Sequence, residues 1–231
     1  MQTRIPLHSH GMLDRAVHNI QRAWLAWVNI VLGVLVILPL LAPVLMEIGA
    51  VVPARAIYFV YSALCHQLPE RSYFFFGQHP TYSIALFTRL VGSDNPFVRR
   101  QFIGNAELGY KTGWSDRMIS LYTSVWLGGV ICAVLRGRLR AWPLALVAAL
   151  IAPLVIDGMT HAVSDLWGIG HGFRDDNDWL RTLTNNMLPS SFYVGDGWGS
   201  FNSLMRLTTG VLSGFAVAFG LFLRLDRWIK A

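Results

Sequence analysis

Residues 23–46 run for 24 positions without a charged side chain. As a helix rising about 1.5 Å per residue, such a run extends about 36 Å, enough to cross the roughly 30 Å apolar layer of a bilayer with some tilt. Trp24 and Trp27 stand at its start, where aromatic belts meet the interface. Pro39 and Pro43 inside it predict a kink. The rest of the chain has to be compatible with that segment, and its composition is. Hydrophobic residues make up 54% of the sequence and charged residues 14%, with a net charge of +6. Soluble domains carry about 25% charged residues.

Three further segments are long and mostly apolar: 116–135, 141–167 and 201–223. Gly128-Gly129, and Gly210 with Gly214, put small residues at the spacing that lets membrane helices approach closely. Residues 54–68 read ARAIYFVYSALCHQL, with an apolar part too short for a confident span. Runs of about 10–14 apolar residues are more often re-entrant or interfacial. The expected fold is therefore an all-α integral membrane protein, four transmembrane helices plus a re-entrant or interfacial helix. If the 54–76 segment crosses, there are five spans. Residues 1–22, with Arg4, Arg15, Arg22, His8, His10 and His18, read as a cytoplasmic polar tail leading into an interfacial segment. The first span reads as a retained anchor, because it is too long for the apolar core of a signal peptide. Residues 23–231 form one helical domain, with polar loops over 77–114 and 168–200.

The basic residues sit at the edges of apolar segments, which points to membrane orientation and not to a nucleic-acid face. Arg136, Arg138 and Arg140, together with Arg224, Arg227 and Lys230, should face the cytoplasm. Both polar loops then lie outside, in a multi-pass protein of the cell membrane.

Ionisable groups in or beside the bilayer are costly, so each suggests a function. Asp157, His161 and Asp165 are spaced by four and share a helix face. An Asp-x-x-x-His pair can reach one divalent metal ion, and pairing of Asp157 with an arginine such as Arg206 is the simpler alternative. Cys65, His66 and Gln67 precede Pro69, Glu70, Arg71 and Ser72. On a regular helix the thiol and imidazole would diverge by about 100°, so they converge only if the helix breaks, as Pro69 suggests. Arg117, Arg206 and Asn202 fall at the outer helix ends, where guanidinium groups could bind a carboxylate or an anionic head group.

Four strings occur together: CHQLPERSYFFFG (65–77), FIGNAELGYKTGWSDRMISLY (102–122), PLVIDG (153–158) and RLTTG (206–210). They resemble the DUF2085 family of membrane proteins, whose hallmark is matched by Cys65, His66, Gln67, Pro69, Arg71 and Ser72. The similarity runs over residues 54–223. Members usually carry a further cysteine where this chain has Ser115. The resemblance implies a membrane fold and no particular activity.

Three functions fit these readings. The first is a binding site for a small polar ligand, metal ion or lipid head group at the outer face, built from Cys65, His66, Gln67, Arg71, Arg117 and Arg206, with Asp157 and His161 as metal ligands. The second is an accessory subunit of a larger membrane complex, with membrane-protein partners besides the lipid. The third is a metal- or thiol-dependent membrane enzyme.

Overall fold

The computed structural model describes residues 8–230, and the side chains of residues 23–229. The side chains of the tail over 1–22 lie outside these.

Among the described residues, four helices are long and apolar enough to cross a membrane. The first, α1 (His8–Glu47), contributes residues Ala23–Glu47 to its apolar part. The others are α5 (Asp116–Val134), α6 (Leu144–Asp165), and α10 (Phe201–Val217), which continues through a π-helical turn (Ala218–Phe222) into α11 (Leu223–Lys230). The glycines act as their spacing predicts. A Cβ on Gly210 would meet Ser120 Oγ at 2.1 Å, and one on Gly214 would meet Leu121 O at 2.6 Å, so α10 lies directly on α5.

Helix α2 (Val51–Tyr61) has 11 residues, about 17 Å of helix, well short of a bilayer core. The chain then turns. Pro69–Arg71 makes one 3-10 turn, and the aromatic run that follows is extended: Ser72–Phe75 is strand β1.

The 77–114 connector, expected as a polar loop, is a small folded layer. It holds α3 (Ile84–Val91), α4 (Pro96–Arg99), β2 (Gly104–Asn105) and β3 (Gly109–Ser115). An antiparallel sheet forms in the order β1-β3-β2. The chain is thus mostly helical but not wholly α. In β3, Tyr110, Thr112 and Trp114 alternate at the strand period, and Gly104, Gly109 and Gly113 carry the close contacts. Gly113 lies on Pro39 of α1, where a Cβ would be 3.1 Å from the proline Cα. The 168–200 loop carries three short helices, α7 (Phe173–Asp176), α8 (Asp178–Leu183) and α9 (Ser190–Tyr193).

The bundle has two unlike ends. At one, Trp24 Nε1 donates to Asp226 at 3.0 Å, Arg136 pairs with the same aspartate, and Arg224 donates to Trp142 O at 2.6 Å. This end gathers the start of the α1 apolar run, the α5–α6 turn and α11. The sheet, α2 and the 168–200 loop cover the other end, where the buried polar residues concentrate.

Candidate functional site

That second end is held by arginine–aspartate pairs. Arg206 on α10 is 3% exposed in its side chain and has every nitrogen engaged. Its Nε donates to both oxygens of Asp116 (2.8 and 3.0 Å), Nη1 to Asp196 Oδ1 (2.6 Å) and Nη2 to Asp196 O (3.2 Å). Arg71 is equally saturated: Nε donates to Asp196 Oδ2, and Nη1 and Nη2 form a fork on Asp165, all at 2.9 Å. Burial alone would lift the pKa of Asp196. Arg206 and Arg71 outweigh it and hold the carboxyl below the usual carboxylate range.

Asp157 does not pair with Arg206, the partner considered from the sequence. It accepts from Arg117 Nη2 and from Arg174 Nη2, each at 2.7 Å. Arg206 is taken by Asp116 at the helix end below it, and Arg174 reaches in from α7, which sequence spacing could not reveal. Asp157 and His161 do face each other as their spacing requires, with His161 Nε2 3.9 Å from Asp157 Oδ1. The guanidinium of Arg174 sits against both, 3.2 Å from His161 Nε2. Arginine only donates, so that ring nitrogen accepts, and the proton of the neutral imidazole is on Nδ1. Where a metal ion would bridge these two residues, Arg174 does so. Among the described residues no three His, Cys, Asp or Glu side chains converge.

The loop that delivers Arg174 and Asp196 is clamped by two asparagines. Asn202 Nδ2 donates to Arg174 O (2.6 Å) and Gly195 O (3.1 Å), and Asn177 Nδ2 to Arg174 O and Tyr193 O (2.7 Å each). Asn202 is therefore a positioning residue for the network.

A cavity of about 440 Å³ opens among these groups. It brings together Cys65, His66, Gln67, Arg71, Arg117, Arg206 and His161; of the residues expected to form a site, Asp157 is absent from its lining and acts through Arg117. Helix α2 ends at Tyr61, ahead of Cys65, and Gln67 takes a left-handed backbone (φ 52°). The break thus comes before Cys65, and both it and His66 reach the cavity. Gln67 is partly spoken for, because Nε2 donates to Tyr58 O and Gly113 O at 2.9 Å. Leu64, Ile169 and Phe97 give the lining an apolar part, Phe97 being 68% exposed, and the exposed His66 lies alongside them.

Of the three arginines on this cavity, Arg117 alone keeps nitrogens without a hydrogen bond. Nη2 holds Asp157, Nε is buried without a partner, and Nη1 rests over Gly158, whose Cβ would stand 3.4 Å away. The carboxylates Asp116, Asp157, Asp165 and Asp196 each accept from at least one guanidinium. What the site leaves open is donor capacity.

Beneath the cavity, Lys111 on β3 is fully buried. Its Nζ donates to Gln67 O (2.7 Å) and Arg100 O (2.5 Å). Nearby, Arg99 and Glu70 form a wholly buried pair at 3.1 Å. Burial lowers the Lys111 pKa from its ordinary 10.5 to about 7, against the opposing pull of Glu70. The unfolded chain then binds this proton more readily than the folded one between these values, so stability rises with pH across that window. We expect the unfolding temperature in detergent to climb from pH 7 to about 9.5, below the range where tyrosines ionise, and Lys111→Met to flatten that climb. An unchanged slope in the variant would contradict the assignment.

The chain matches no family model, no curated protein and no solved structure.

Proposed function

We propose that this chain is a multi-pass protein of the cell membrane that binds an amphipathic ligand with an anionic head group at its extracytoplasmic end. The observation that carries the reading is the unfilled guanidinium of Arg117 in a cavity whose carboxylates are already engaged and whose exposed lining includes Leu64 and Phe97. A head group with acceptor oxygens would complete Arg117, and charge-assisted bonds of this kind are about twice as strong as neutral ones. An alkyl chain would lie toward Leu64 and Phe97. Orientation follows from the opposite end of the bundle, where Arg136, Arg138, Arg140, Arg224 and Arg227 mark the cytoplasmic side. Relation to the DUF2085 family is proposed on the motif residues Cys65, His66, Gln67, Pro69, Arg71 and Ser72. Four of these (Cys65, His66, Gln67 and Arg71) line the cavity. An accessory subunit needs only closed ion pairs; the open donors and the cavity favour binding.

Calorimetric titration of the detergent-solubilised protein with dodecyl phosphate tests this. Arg117→Gln should weaken binding about tenfold or more, while Arg174 still holds Asp157 and keeps the fold. Equal affinity in wild type and variant would overturn the proposal.

A further inference from the structure

On the other side of Asp157 lies a second, wider recess, a groove of about 670 Å³. Its walls are Pro153, Ile156, Phe173, Trp179 and Met205, and Arg174 lines it with Asp157. Ile156 is 62% and Trp179 46% exposed, so the groove is continuous with the open apolar face of α6, a helix with the length and composition of a membrane span.

The polar groups of the groove follow an order. Along α6, Pro153 and Ile156 precede Asp157, so the apolar walls lie on the bilayer side. At the next level is Arg174, with a side chain only 8% exposed. Its Nη2 is shared by Asp157 and His161, its Nε is buried without a partner, and no hydrogen bond is made by Nη1. Asp176 and Asp178 stand on the rim. Asp178 is largely exposed and pairs at 3.2 Å with Arg181 at the surface. Among the residues that line the groove, three carboxylates (Asp157, Asp176 and Asp178) stand against one guanidinium, Arg174, while Arg117 shares Asp157 and Arg181 pairs with Asp178 from outside the lining. A purely anionic amphiphile would meet Arg174 only after passing two carboxylates.

We infer that the groove holds a zwitterionic phospholipid of the surrounding bilayer. Its chain would lie on Ile156, Phe173 and Met205, its phosphate would take Arg174 Nη1, and its ammonium would rest at Asp176 and Asp178 beside Trp179. A phosphate oxygen supplies the acceptor that Arg174 lacks. An ammonium gains from both the carboxylates and the indole face. The inference does not rest on the ligand of the first cavity.

Native mass spectrometry of the detergent-solubilised full chain, titrated with phosphatidylethanolamine, phosphatidylglycerol or inorganic phosphate, separates the possibilities. Phosphatidylethanolamine should bind at least about tenfold better than phosphatidylglycerol, and inorganic phosphate should not bind in the groove. Ile156→Trp, which fills the groove from an exposed position, should reduce phosphatidylethanolamine binding about tenfold and leave dodecyl phosphate binding unchanged. Asp176→Asn with Asp178→Asn should erase the preference between the two lipids. Equal binding of both lipids to wild type, or indifference to Ile156→Trp, would overturn the inference. Inorganic phosphate binding that is lost in Arg174→Gln, without lipid binding, would overturn it in favour of a free-anion site.

Discussion

Arg206→Met is expected to destabilise the protein by about 3–5 kcal/mol, because it strands the buried carboxylate of Asp116 and takes from Asp196 one of its two guanidinium partners. Asp116 and Asp196 are 4% and 6% exposed in their side chains, and Arg206 is the group that joins them. Methionine would match the volume and supply none of the four hydrogen bonds. Asp196 would keep Arg71, but Asp116 would lose its guanidinium altogether. Arg206→Lys should recover only part of the loss, since an ammonium cannot reproduce the fork. In the wild type the low pKa of Asp196 contributes stability that is present above the unfolded value, near 3.9, and is lost as pH falls through the folded value. In Arg206→Met that contribution shrinks, so the gap between variant and wild type should narrow in acid. Denaturant unfolding in detergent measures both effects. A cost below about 1 kcal/mol, the range of exposed pairs, would contradict the picture of a buried network.

Asp157→Asn should separate stability from binding. Asp157 is 2% exposed and holds Arg117 and Arg174 together, and its loss leaves two guanidinium groups facing one neutral amide. Removing one partner of a buried pair costs about 3–5 kcal/mol. The freed donors should bind anions more tightly than wild type. Dodecyl phosphate should therefore raise the unfolding temperature of Asp157→Asn more than that of wild type, because a ligand that binds only the folded state stabilises it in proportion to its affinity. A variant that is both destabilised and unresponsive to the anion would show that Asp157 acts on packing alone.

The difference between these two sites also explains what could be read from the sequence. The four long helices were legible because apolar length is a local property. So was the facing of Asp157 and His161, because a spacing of four puts two residues on one helix face. The gathering of Arg71, Arg117 and Arg206 followed from placing helix ends on one side of the bundle. The true partners did not. Arg174 lies in a Gly- and Asp-rich loop with no periodicity, and contacts distant in sequence bring it to α6: Asn177 and Asn202 hold its carbonyl, and its N–H donates to Ser164 Oγ at 3.0 Å. Asp196 lies in the same loop, and nothing in its spacing marks it. The sheet over 72–115 is hard to read because β1 and β2 are only 4 and 2 residues long and the pairing depends on close backbone approaches at Gly104 and Gly109 and on Gly113 against α1.

The most direct measurement uses the cavity's own thiol. Cys65 lines the cavity, whereas Cys132 is fully buried between α5 and the π-helical turn of the last helix. A membrane-impermeant maleimide applied to sealed, right-side-out vesicles should label Cys65 from outside, and dodecyl phosphate should slow that labelling in wild type but not in Arg117→Gln. Labelling only from the cytoplasmic side, or labelling that the anion leaves untouched in wild type, would contradict an anion-binding cavity at the outer face.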